Sequence, residues 1–108
     1  MDRRARIREL NDAFRRTFAG GQVLLTPGIN DLPSDVRAMA IRKVAIFADF
    51  TGDNDPHGEH DFGSFDLAGQ KFFWKLDYYA PDLQGGSEDP SNPKQTARVL
   101  TIMRADEY

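Results

Sequence analysis

Residues 62–79 read "FGSFDLAGQKFFWKLDYY", and the way this stretch folds decides the rest of the chain. Apolar and polar residues alternate on both sides of the Ala-Gly-Gln centre, the pattern of two half-buried strands joined by a tight turn. With Gly69 and Gln70 as a two-residue loop, Leu67 faces Phe72 and Phe65 faces Trp74, while Ser64 faces Lys75 and Asp66 faces Phe73. One face then gathers Phe65, Leu67, Phe72, Trp74, Leu76 and Tyr78, and the other carries Asp66, Lys75, Asp77 and Tyr79 with Phe73. One apolar and one wetted face is what an antiparallel sheet covered on a single side requires.

Upstream, residues 3–18 place Ile7, Leu10, Phe14 and Phe18 at helical spacing with the arginines largely on other positions, which predicts an amphipathic helix ended by Gly20-Gly21. "QVLLTPGI", 22–29, reads as a strand up to Pro27, whose missing amide confines it to an edge. Pro33 suits the first turn of a second helix with Asp35 near its positive end. Val36, Met39, Ala40, Val44 and Phe47 share one face of that helix, which should end near Phe50. Downstream, residues 80–96 hold three prolines and two adjacent glycines and form an irregular connection, and "ARVLTIMR", 97–104, reads as a last strand. The expected fold is α+β: two helices packed on one face of a small antiparallel sheet of three to four strands. A chain of 108 residues supports one core, hence a single domain over 1–108 with the Arg-rich helix in 1–20 and the α+β core in 22–108.

The chain has no cysteine, which excludes disulfides, thiolate nucleophiles and Cys-ligated metal centres. No stretch approaches the roughly 20 apolar residues of a membrane span, so a cytoplasmic protein without a membrane partner is expected. The formal charge of −3 is unevenly spread: residues 1–16 carry +3 through Arg3, Arg4, Arg6, Arg8, Arg15 and Arg16 against Asp2, Glu9 and Asp12, leaving −6 for the rest. From Asp49 to Asp66 there are six carboxylates and no Lys or Arg. A basic end and a separate acidic belt are expected.

The acidic belt contains both histidines, in "TGDNDPHGEHDFGSF", 51–65. His57, His60 and Asp61 have the chemistry of zinc, manganese, nickel or iron ligands, with Glu59 a candidate general base of a hydrolase. Their spacing fits no strong template, because a metalloprotease helix needs histidines four apart, and here they are three apart beside Pro56 and Gly58. Read as a calcium loop from Asp53, the twelfth position is Ser64 where a bidentate Glu is required. The favoured reading is a sharp turn built by Asn54, Asp55, Pro56 and Gly58, with no cofactor and no catalytic residue. Asp53, Asp55, His57, Glu59, His60 and Asp61 then serve as a partner-binding surface, joined by Phe73 and Tyr79 on the outer sheet face. Arg3, Arg4, Arg8 and Arg15 are the candidate nucleic-acid contacts, since guanidinium forks match phosphate oxygens.

Taken together, "LTPGI", "DNDPHGEHDFGSF", "FFWKLDYY" and "RVLTIM" resemble the bacterial family catalogued as domain of unknown function 3768, over about residues 22–108. The resemblance implies a small protein often carried by plasmids and integrated elements of proteobacteria, and implies no catalytic residue. The function expected on these grounds is non-enzymatic: a counter-defence inhibitor, of anti-CRISPR or anti-restriction type, or a regulator. Its acidic loop would engage a host protein or protein–nucleic-acid complex, and the exposed faces of Phe73 and Tyr79 leave a homodimer open. The alternatives are a metal-dependent hydrolase using His57, Glu59, His60 and Asp61, and a nucleic-acid-binding regulator using the first helix.

Overall fold

The computed structural model describes residues 2–108. Its elements in chain order are helix α1 (Arg3–Thr17), strand β1 (Gln22–Leu25), the single turn α2 (Pro27–Asn30), helix α3 (Ser34–Ala45), and strands β2 (Phe62–Leu67), β3 (Gln70–Tyr79) and β4 (Ala97–Arg104). The fold is α+β. The four strands form one sheet in the order β1-β4-β3-β2. The sheet is mixed where a purely antiparallel one was expected: β2, β3 and β4 form an antiparallel meander, while β1 runs parallel to β4. Parallel neighbours need a long crossover, and here α2, α3 and the β2–β3 hairpin supply it.

The hairpin forms one residue earlier than the sequence reading places it. Ala68 and Gly69 are the loop, with φ of 53° and 75°, so Leu67 pairs with Gln70, Phe65 with Phe72 and Gly63 with Trp74. Two left-handed residues give a turn whose twist matches that of the strands it joins. Moving the loop by one residue moves each cross-strand partner by two, which preserves the face every side chain occupies. Phe72, Trp74 and Leu76 accordingly lie in the core, with Phe65 and Leu67 packed against it.

The inner sheet face, completed by Leu100 and Ile102 of β4, is covered by Phe14 of α1, Ile29 of α2 and Val44 of α3. Helix α1 ends before the glycines, at a left-handed Phe18 with φ of 58° whose N–H donates to the Phe14 carbonyl. Helix α3 stops at Ala45 and not near Phe50. Phe47 and Phe50 leave the helix axis and set their rings edge-on to Trp74. Met39, expected on the buried face of α3, is 50 % exposed, and Ala40 and Val44 carry that contact. Among the described residues no helix is long and apolar enough to cross a membrane.

Gly63 occupies the tightest position. A β-carbon there would overlap the Trp74 indole and the tip of the Phe47 ring. The absence of a side chain at this position of β2 is what lets the indole of the largest core residue approach the strand beside Phe47.

Candidate functional site

The polar groups of the chain converge where α1 meets the loop leading into β2. Ile7, Asn11, Phe14 and Arg15 form the buried row of α1, at the offsets of four, seven and eight that define one helical face. Two of these four are polar, and each is matched by partners.

Asn11, fully buried, donates its amide to the Glu59 carbonyl at 3.0 Å and to the Tyr78 hydroxyl at 2.7 Å. Its own carbonyl accepts from Arg98 Nε at 2.7 Å. Tyr78 in turn donates to Glu59 Oε1 at 2.9 Å. The Arg98 guanidinium lies 5.4 Å from the centre of the Tyr78 ring and also donates to the Pro90 carbonyl. Burial pushes the Tyr78 phenol far above its ordinary range; the Asn11 hydrogen bond opposes this and the Glu59 charge reinforces it. Tyr78 is therefore a fixed donor at neutral pH and not a base.

Arg15, 1 % exposed, closes the C-terminal end of α3. Its Nη1 donates to the carbonyls of Val44, Ala45 and Phe47 at 2.9, 3.3 and 2.8 Å, the first two in the last turn of α3, where carbonyls lack intrahelical partners, and the third just beyond it. Its Nη2 reaches Asp12 Oδ1 at 3.1 Å, and its guanidinium lies over the rings of Trp74 and Phe50. Burial lowers its pKa, and the hydrogen bond and charge of Asp12 work against that shift. The expectation that Arg15 contacts a phosphate is thereby corrected: it lies on the buried row and is committed to α3. Arg3 pairs with Asp89, Arg8 donates to the Gly58 carbonyl at 3.0 Å, and the Arg4 stem runs beside Gly58. The basic helix and the acidic loop are one seam rather than separate poles.

His60 sits in that seam at a φ of 55°. Its ring stacks on Phe50 with centroids 3.7 Å apart and planes within 2° of parallel. Nδ1 lies 2.9 Å from Asp12 Oδ1, and Nε2 lies 3.6 Å from Asp55 Oδ2. The His60 backbone N–H donates to Asp55 Oδ1, and Asp55 N–H donates to the Thr51 carbonyl. Both ring nitrogens thus face carboxylates of the protein itself. The expected turn is present, tied by Asn54 to Thr51 and Asp49.

The residues read as one surface divide in two. Asp55, Glu59 and His60, expected to face a partner, turn inward: Asn11 and Asp12 of α1 hold Glu59 and His60, and Asp55 accepts from the His60 N–H. Asp53 and His57 are exposed. With Asp61, Phe62, Lys75, Asp77 and Tyr108 they line an open concavity of about 420 Å³. Desolvation raises the Asp61 pKa, and the Glu59 charge adds to the rise. Lys75 pairs with Asp77 at 2.9 Å. On the outer sheet face Phe73 is partly covered by Phe62 and Tyr108, while Tyr79 remains exposed. Among the described residues no group of three or more His, Asp or Glu side chains is arranged to hold a metal ion. His57 and Asp61 look into the concavity, whereas His60 is taken up by Asp12 and Asp55.

Asn11, Asp12 and Arg98 were not singled out from the sequence. The signals were present: Asn11 falls four residues after Ile7 on the apolar row, and Arg98 alternates in phase with Leu100 and Ile102. A polar residue in phase with a core stripe marks a buried polar contact.

No curated protein and no solved structure matches the chain. One family does, over residues 25–107, a span that takes in the acidic loop, the hairpin and β4 and begins after α1. By that match the chain belongs to the family described as "Protein of unknown function (DUF3768)".

Proposed function

We propose that the chain is a non-enzymatic interaction protein of a bacterial mobile element. In this reading it is a cytoplasmic counter-defence inhibitor, of anti-CRISPR or anti-restriction type, or a regulator, which binds a host protein or protein–nucleic-acid complex through its acidic surface. One observation carries the proposal: the groups best suited to acid–base chemistry are bound to one another. Both nitrogens of His60 face carboxylates, and Tyr78 donates to Glu59. Directed inward, these groups hold the loop in shape, and a rigid loop presents Asp49, Asp53 and His57 to solvent. Fixed carboxylates on a rigid bend imitate the charge of a nucleic-acid backbone and steer association with a basic groove.

The test is capture from the native host with the purified protein, followed by identification of what is held. Asp49→Lys with Asp53→Lys reverses exposed charge and leaves the seam intact, so it should abolish capture, with an unchanged unfolding transition. A double variant that still captures the same partner would overturn the acidic surface as the contact. Turnover of any substrate lost specifically in His60→Gln would overturn the non-enzymatic reading.

A further inference from the structure

The helices cover the inner face of the sheet and leave the outer face to its own side chains. Alternation directs Leu24 of β1, Val99 and Thr101 of β4, and Lys75, Asp77 and Tyr79 of β3 to that outer side. Together with Leu83 they line an open depression of about 480 Å³. Its rim is apolar: Leu24 is 50 % and Leu83 44 % exposed, beside an exposed Tyr79. Leu83 is held there in a left-handed conformation, with a φ of 63°, which a leucine rarely adopts. The turn that enforces it is tied by Leu83 N–H to the Ala80 carbonyl at 2.8 Å, Ala80 N–H to the Gly85 carbonyl at 2.7 Å and Gln84 N–H to Asp82 Oδ1 at 3.0 Å. A fixed, strained turn that projects a leucine into water beside other open apolar side chains marks a surface built for contact.

The charges on this side select what makes the contact. Strands β2 and β3 direct Asp66, Lys71, Lys75 and Asp77 outward, and these form two ion pairs, Lys75 with Asp77 at 2.9 Å and Lys71 with Asp66 at 3.6 Å. The outer sheet face therefore sums to zero on a chain of net charge −3. A strongly basic or acidic partner gains nothing from such a face, whereas a second copy of the chain, which the acidic loop would repel, is not repelled here. Lys75 and Asp77 also stand two residues apart on one strand, so the pair is complementary to itself. With two copies face to face and their β3 strands antiparallel, Lys75 of each lies over Asp77 of the other. We propose that the outer sheet face is a two-fold homodimer interface. Leu24, Tyr79 and Leu83 of each copy pack against the same face of the other, and the two Lys75–Asp77 pairs close into a ring of alternating charges. Lys75 and Asp77 also border the concavity of Asp53 and His57. Asp49, Asp53 and His57 themselves lie outside the depression, so dimerisation does not depend on the acidic surface binding a partner.

Sedimentation equilibrium of the purified chain should show a monomer–dimer equilibrium, and a chain that stays monomeric up to millimolar concentration overturns the proposal. Lys75→Asp leaves only carboxylates across the centre of the interface and Asp77→Lys only ammonium groups, so each variant alone should associate about tenfold or more less tightly than the parent. Mixed in equal amounts, the two variants should form a heterodimer at least as tightly as the parent dimerises, because every cation then meets an anion. Failure of the mixture to restore association, with both variants folded, would overturn the proposed pairing. Leu83→Asn suits a left-handed backbone, so it should keep or raise the melting temperature of the monomer while weakening the dimer about tenfold or more; unaltered association would remove the outer face as the interface. Asp49→Lys with Asp53→Lys should dimerise at least as well as the parent, and loss of the dimer in that variant would move the interface to the acidic loop.

Discussion

Arg15 is a charge that the fold uses as a helix cap. Its removal takes the side-chain donor from the Val44, Ala45 and Phe47 carbonyls at the end of α3 and the cation from Asp12, at a position where the guanidinium itself is buried. Breaking such a contact costs about 3 kcal/mol or more, so Arg15→Ala should lose that much stability in a denaturant titration, while Arg16→Ala, one position along and exposed, should lose almost none. Asp61 predicts the opposite sign. Its pKa is raised above the ordinary 3.8 by desolvation and by Glu59, so the folded state holds the proton more tightly than the unfolded chain does. Stability attributable to Asp61 is complete below pH 3.8 and falls as the pH rises through the folded value. Asp61→Asn should therefore raise the melting temperature at pH 7, with the gain disappearing in acid. At this scale the sequence was only partly legible. It marked the turn residues Asn54 and Asp55 but placed His60 toward a partner, because its direction is set by Asp12, forty-eight positions away.

At the scale of elements, the β2–β3 hairpin shows why face assignments outlast an error in register. Alternation has a period of two, and the misplaced loop shifted the pairing by two, so Phe72 and Trp74 stay in the core whichever loop is drawn. The loop itself retains strain, since Ala68 adopts a φ of 53°, a conformation that costs a residue with a β-carbon about 1–2 kcal/mol. Ala68→Asn creates the Asn-Gly pair favoured for this turn and should stabilise the protein by about 0.5–1 kcal/mol in chemical denaturation. The parallel pairing of β1 was not legible for a different reason. Four residues ending at a proline mark an edge, but nothing local states which neighbour they join. The last strand was legible to the residue, because its boundaries coincide with the end of the Pro-rich connection and the return of alternation.

For the molecule as a whole, α1 is structural rather than appended, although the family match begins beyond it. Ile7 and Phe14 are both nearly fully buried, worth about 1.5–3 kcal/mol each. Asn11, Asp12 and Arg15 also satisfy groups that would otherwise be stranded on the loop, β3 and α3. Against a total stability of about 5–15 kcal/mol for a domain, these losses are comparable with the whole. A chain lacking residues 2–18 should fail to show a cooperative unfolding transition by calorimetry, even though the family-matched region remains intact. The same arrangement explains where the two charged blocks meet: Arg8 of α1 donates to the Gly58 carbonyl and the Arg4 stem runs beside it, so the basic helix lies against the backbone of the acidic loop. Composition revealed the two blocks, and only the fold could show that they touch.

The solitary indole at Trp74 has a practical consequence. It is sealed from water and flanked by Phe47, Phe50 and the Arg15 cation, which makes it a built-in optical probe of the junction that holds the acidic bend. Blue-shifted emission should report the closed junction, and a red shift at denaturant concentrations below the main transition would reveal α1 lifting away before the sheet comes apart.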